Sequence, residues 1–142
     1  MKIAVASDHA GFDLKSLIIK TLKNQYQIID CGCDSADISV DYPDFAKKVA
    51  VKIANHDVDF GILICGSGIG MSIASNRFQE VRAALCHNQK IAKLSRQHND
   101  ANVLCLGARI IKTKNTIKMV ELFLRTKFAG GRHQNRVDKL FR

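Results

Sequence analysis

Apolar and polar positions follow two rhythms along this chain, and the rhythms take turns. Residues 2–7 (KIAVAS) form a short apolar run with β-branched side chains, followed by Asp8, His9 and Gly11. This predicts a strand ending in a polar loop. Over residues 13–24, Leu14, Leu17, Ile18 and Leu22 recur at helical spacing with Lys15, Lys20 and Lys23 between them, the stripe of a helix that buries one face. Residues 26–31 (YQIIDC) read as a second strand and 32–42 as a polar loop. Pro43 suits the first turn of a helix to about Asn55, with Asp41 as its cap. Residues 59–65 (DFGILIC) give the strongest buried-strand signal, an unbroken apolar run of the kind found in a sheet covered on both faces. Gly66-Ser67-Gly68-Ile69-Gly70 follows, then a helix over 71–76, a strand over 81–86, a helix over 90–97 and a strand over 102–106. An amphipathic helix spans 115–127, Gly130-Gly131 breaks it, and 132–142 predicts a last short helix.

Five strands alternating with helices predict a single α/β domain over residues 1–142, a three-layer α/β/α Rossmann-like domain with a five-stranded parallel sheet and right-handed crossovers. Ligands of such sheets bind beyond the carboxyl ends of the strands, where strand order reverses. In the order 2-1-3-4-5, Asp8-His9 and Cys65-Gly66-Ser67 face each other across that crevice.

Composition narrows the choice of function. The chain of 142 residues is 46% hydrophobic and 25% charged, as a globular domain is. No apolar run is long enough to span a bilayer, and the start lacks the regions of a signal peptide; the expectation is a soluble, cytoplasmic protein. The five cysteines are odd in number, and their strand-like settings suit free buried thiols. Cys31 and Cys33 form a C-x-C pair with no second pair at zinc-ligand spacing, so no metal site is expected. The net charge of +9 points to an anionic partner, either nucleic acid or a phosphorylated metabolite. Arg125, Lys127, Arg132, Arg136, Lys139 and Arg142 crowd the C-terminus, where a solvated basic tail would also account for them.

Four constellations carry candidate chemistry. Cys65 to Gly70 (CGSGIG) turns tightly after a buried strand and aims several backbone N–H groups at one point, which suits an anion or a developing oxyanion. It lacks the G-K-[ST] ending of a Walker loop and the acidic residue of a dinucleotide fingerprint. The positive end of the following helix favours the charged form of a thiol such as Cys65, as nucleophile or proton acceptor. Asp8-His9 closes the first strand, either facing a ligand or capping its own loop. Ser95 to Asp100 (SRQHND) holds His98 beside Asn99, and a histidine there suits a general acid or base. Arg109 is joined by Arg132 and Arg136, which share a helix face and would clamp a phosphate.

Together these motifs resemble one family. SDHAGF near the start, DYP at Asp41, GILICGSGIG at Gly61, LSRQHNDANVL at Leu94, GAR at Gly107 and GGRHQNR at Gly130 make the chain similar, along essentially its whole length, to the B-type ribose-5-phosphate isomerases, a group related to the galactose-6-phosphate isomerase subunits. The resemblance implies an aldose–ketose isomerase of the pentose phosphate pathway that uses no metal or cofactor. By its implication Cys65 is the base that moves a proton between C1 and C2 through an enediolate. Ser67 and the backbone of Gly66, Gly68 and Gly70 hold the enediolate oxygen. His98, assisted by Asp8, opens the furanose ring. Tyr42 and Asn99 line the sugar, and His9, Arg109, Arg132 and Arg136 take the phosphate.

The resemblance further implies a homodimer with shared active sites, or two such dimers paired as a tetramer, with the His98–Asn99 loop supplied by the partner chain. Segment 130–142 would serve phosphate binding or the dimer. Two departures bear on this. Many members carry threonine at Ser67, which keeps the hydroxyl. One branch places a glutamate base at the position of Met71, which cannot accept a proton, so this chain falls with the cysteine branch. Rival readings are the same chemistry on allose 6-phosphate or galactose 6-phosphate, a nucleic-acid-binding module, and a nucleotide-binding regulatory domain. Aromatics at 6% and the lack of a nucleic-acid motif count against the second.

Overall fold

The structure, a computed structural model, describes residues 1–141; Arg142 of the basic cluster lies outside the described residues. The five predicted strands form as β1 (Lys2–Ser7), β2 (Gln27–Asp30), β3 (Phe60–Cys65), β4 (Ala83–Leu85) and β5 (Val103–Gly107), all parallel. Between and after them run α1 (Phe12–Leu22), α2 (Tyr42–Ala54), α3 (Ile69–Ser75), α4 (Gln89–Asn99), α5 (Thr113–Arg125) and a short α6 (Gln134–Val137). The C-terminal segment is less regular than predicted, with α6 set between two 3-10 turns, Gly131–His133 and Asp138–Phe141.

Side-chain alternation along the strands explains the three layers. On one face Ile3, Val5, Ile62, Ile64, Leu104 and Leu106 pack against Ile18 and Leu22 of α1, Ala92 of α4 and Phe123 of α5. On the other, Ala4, Ala6, Leu63, Cys65, Val103 and Cys105 meet Val49 and Ile53 of α2 and Met71 of α3. Period-two alternation with both faces apolar is why these strands read as continuous apolar runs.

The sheet order is β2-β1-β3-β5-β4, not 2-1-3-4-5. Composition supplies the reason: β5 is five residues long with Val103, Leu104 and Leu106 to bury, whereas β4 is the short Ala83-Ala84-Leu85. The more apolar strand therefore takes the interior place beside β3, and β4 takes the edge. The change leaves β1 beside β3 and brings the end of β5, with Arg109 after it, to the crevice.

The end of α4 is a second correction. His98 and Asn99 lie in its last helical turn, not in a loop, and the helix stops at Asp100, which has φ 45°. A left-handed residue is a usual helix stop, and aspartate tolerates it better than most. Asp100 is held there by Arg82 Nη2 and Arg96 Nη1, each donating to one carboxylate oxygen at 2.8 Å.

Candidate active site

A crevice of about 370 Å³ opens beyond the C-terminal ends of β1, β3 and β5, lined by Asp8, Tyr42, Cys65, Gly66, Ser67, Gly70, Arg109 and Ile110. Each is held by the strand ends. Cys65 closes β3 and is 5% exposed, and its Sγ accepts the Gly68 N–H at 3.0 Å. That bond requires a left-handed turn at Gly68, φ 81°, where a Cβ would stand 2.8 Å from the Leu106 carbonyl carbon; only glycine fits. An amide N–H on a sulfur stabilises its charged form. Because the Gly68 N–H serves the sulfur, it does not serve a ligand. The amide of Gly70, in the first turn of α3, has no acceptor within the helix.

Ser67 Oγ accepts the Ile69 N–H at 3.3 Å and its hydroxyl proton stays available. The Tyr42 ring lies flat against Gly70, where a Cβ would meet it at 2.6 Å. After β5 the chain stays bonded to the loop: Ala108 N–H donates to Cys65 O at 2.9 Å and Arg109 N–H to Gly66 O at 3.0 Å. The Arg109 guanidinium thereby lies across Gly66.

Asp8 caps its own loop and also borders the crevice. Its Oδ1 accepts the Gly11 N–H at 3.1 Å, capping the turn His9–Gly11, and the residue still lines the crevice. His9 stands next to it; Nδ1 accepts the Val40 N–H at 3.2 Å, which puts the proton of the neutral ring on Nε2 and makes that atom a donor. The crevice thus combines a thiol held by an amide, a carboxylate, a hydroxyl and a guanidinium, enough for proton transfer on an anionic small molecule. Among the described residues no three His, Cys, Asp or Glu side chains gather as metal ligands.

The remaining predicted residues lie elsewhere. His98 and Asn99 end α4 just before β5, and Arg132 and Arg136 follow α5, so all four sit toward the N-terminal ends of the strands. The five residues of β5 alone separate the two regions by roughly 3.3 Å each. His98, half-buried, stacks on His133 with ring centroids 4.3 Å apart and planes 7° apart. Arg132 and Arg136 are exposed and form no ion pair among the described residues. One chain therefore assembles Asp8, His9, Tyr42, Cys65 to Gly70 and Arg109, and leaves His98, Asn99, Arg132 and Arg136 as a separate cluster.

A larger groove, about 920 Å³, also opens at the N-terminal ends of the strands, beside Asp59, Arg82, Arg96 and Asp100. Its arginines are already engaged by Asp100, so it offers an anion little. Sequence reasoning missed Ile110, 61% exposed at the crevice mouth, and His133. Ile110 carries no signal beyond its place after Arg109; His133 sits inside a quoted motif, between two arginines.

Four likenesses to known proteins bear on this arrangement. The chain matches the Ribose/Galactose Isomerase family over residues 3–140. It is 44% identical over 140 residues to ribose-5-phosphate isomerase B of Escherichia coli strain K12, covering 98% of this chain and 93% of that one. The solved structure of ribose-5-phosphate isomerase B from Clostridium thermocellum is similar with a TM-score of 0.96 and 46% identity, over 99% of this chain and 95% of that one. The Mycoplasma genitalium enzyme, solved with bound ribulose-5-phosphate, gives 0.94 and 48%, over 99% and 93%. Sequence and fold agree over nearly the whole chain, and the chain belongs to the Ribose/Galactose Isomerase family.

Proposed function

We propose that this chain is a cytoplasmic enzyme of the pentose phosphate pathway that interconverts D-ribose 5-phosphate and D-ribulose 5-phosphate, with Cys65 as the base. The observation that carries the reading is the crevice itself: a thiol on the Gly68 N–H, with Asp8 and Arg109 beside it. The chain that builds it is 48% identical to a protein solved with ribulose-5-phosphate bound.

The chemistry needs an open-chain sugar. The proton on the anomeric oxygen leaves and one arrives at the ring oxygen as the C1–O4 bond breaks. Asp8 and His98 of the partner subunit carry these two protons. Cys65 then removes the hydrogen at C2 and returns it at C1, while a proton moves from O2 to O1. The enediolate between these steps is negatively charged. The Gly70 amide and the Ser67 hydroxyl face it, and preorganised donors of this kind stabilise such charge. Arg109 and His9, with Arg132 and Arg136 of the partner subunit, hold the phosphate, and its binding aligns the reacting carbons. Tyr42 and Asn99 of the partner subunit flank the sugar. A homodimer with shared sites accounts for the two separate clusters on one chain.

The test is turnover of ribose 5-phosphate by purified protein with a chelator present, alongside Cys65→Ala and six-carbon sugar phosphates. Ribulose 5-phosphate should form with chelator, and Cys65→Ala should lose about a thousandfold or more in kcat. A fully active Cys65→Ala would remove the base assignment. Turnover confined to a six-carbon phosphate would overturn the substrate.

A further inference from the structure

We propose that His133 is a positioning residue: its imidazole, stacked on His98, fixes the plane of the ring that opens the sugar. This rests on the reading of His98 as the ring-opening group.

The backbone beneath His98 is held firmly. Asp100 stops α4 and bridges Arg82 and Arg96. Arg96 is 7% exposed, donates from Nη1 to Ala101 O at 2.7 Å and from Nε to Thr126 O at 3.2 Å, and lies over Phe60 with its guanidinium carbon 4.8 Å from the ring centroid. These contacts set where the Cα of His98 stands. They leave its side chain free, because His98 forms no side-chain hydrogen bond among the described residues, and the second torsion of a histidine is intrinsically broad. Among the described residues the stack on His133 is the aromatic contact that His98 makes, and planes 7° apart define its ring plane closely.

The chain is arranged to deliver His133 to that spot. Ala129 N–H donates to Gln97 O at 3.0 Å, tying the segment to the end of α4. Gly130 and Gly131 then take φ of 63° and 55° with no atom within 4 Å of an added Cβ, so both serve the turn rather than close packing. His133 N–H closes the 3-10 turn onto Gly130 O at 3.1 Å. Lost hydration, then His98, Arg132 and Arg136, push the His133 imidazole below its ordinary value. That direction favours the neutral ring and works against two cations face to face in the stack. Arg132 and Arg136 flank it on the same segment, so a phosphate gripped by them would also steady His133.

Ring opening can be separated from proton transfer by choice of substrate. Ribose 5-phosphate is mostly a closed furanose in water, whereas ribulose 5-phosphate, with its C5 oxygen esterified, cannot close a five-membered ring. Deuterium uptake at C1 of ribulose 5-phosphate needs the Cys65 cluster but not ring opening. We would measure both rates for His98→Ala, His133→Ala and His133→Phe. In His133→Ala the kcat from ribose 5-phosphate should fall about tenfold or more, the size of a modest misplacement. Deuterium uptake should stay within about twofold. His133→Phe, which still stacks, should recover most of the loss. Unchanged forward turnover in His133→Ala would overturn the proposal. So would a fall of both rates together, which would mean a damaged phosphate clamp or fold, or a His133→Phe no better than alanine. A His98→Ala variant with full forward turnover would instead overturn the role of His98 beneath it.

Discussion

The two clusters of this molecule are built differently. At the carboxyl ends of the strands, backbone places the chemistry: the Gly68 amide holds the Cys65 sulfur, and Arg109 is pinned by its N–H to Gly66 O. At the opposite ends, side chains do the work, through the Arg82–Asp100–Arg96 bridge and the His98–His133 stack. The first region inherits the rigidity of a five-stranded sheet and is complete as a crevice. The second sets His98, His133, Arg132 and Arg136 apart from that crevice, and the groove beside it is lined by arginines already engaged by Asp100. The shared-site homodimer proposed above is what would bring the two together.

Mixing subunits tests that division with the largest effect. In the proposed shared-site dimer, Cys65→Ala and His98→Ala should each lose several orders of magnitude in turnover of ribose 5-phosphate, within the range set by removing an acid or base. Co-expressed in equal amounts, they should regain about a quarter of wild-type activity, because half the dimers are mixed and one of the two sites in each has both residues. A mixture as inactive as its parents would mean that each site takes Cys65 and His98 from the same chain.

Glycine substitutions sharpen the contrast at lower amplitude. Gly68 and Gly131 both have positive φ, 81° and 55°. At Gly68 an added Cβ meets the Leu85 side chain at 2.6 Å and the Leu106 backbone at 2.8 Å, whereas at Gly131 it meets nothing. Gly68→Ala should cost about 3 kcal/mol or more from strain plus overpacking, and Gly131→Ala about 1 kcal/mol from strain alone. Urea unfolding measures both, and equal losses would contradict the view that only the strand-end cluster is packed tightly.

The same contrast decides what could be read from sequence. The apolar runs announced β1, β3 and β5 because period-two burial on two faces leaves no polar position, and CGSGIG announced the turn at Cys65 because its geometry is local. Strand order was not legible: the placing of β5 inside β4 depends on which strand gives up more water, a comparison across the sheet. Nor was the exclusion of His98 from the crevice of its own chain legible from pattern alone. Spacing shows that His98 precedes β5; that this puts it at the far end of the sheet from Cys65 follows only once α4 is seen to run back along the strands. The His133 stack was hidden further, since it joins residues from α4 and a 3-10 turn through two left-handed glycines.

The thiols extend the contrast and give the smallest effect. Cys65 and Cys105 share one apolar layer, but Cys65 has the Gly68 N–H while Cys105 is fully buried and its thiol is pushed up by lost hydration. Cys86, also fully buried, is pushed up from 9.0 to about 11, again by burial, with the Ser95 side chain opposing in part. An unfolded Cys86 ionises from about 9, whereas the folded one keeps its proton until about 11. Its contribution is therefore fully present below pH 9 and is lost as pH rises toward 11, on the order of 2 kcal/mol at the top of that range. Stability of the wild type, read as urea midpoints, should fall through this window. Cys86→Ala should be less stable at every pH because of the space it leaves, yet show a shallower fall between pH 9 and 11. The slope isolates the thiol from the cavity, since a cavity does not titrate. An unchanged slope would mean that Cys86 gains access to water before the fold opens, and that the edge beside β4 is looser than the layer that holds Cys65.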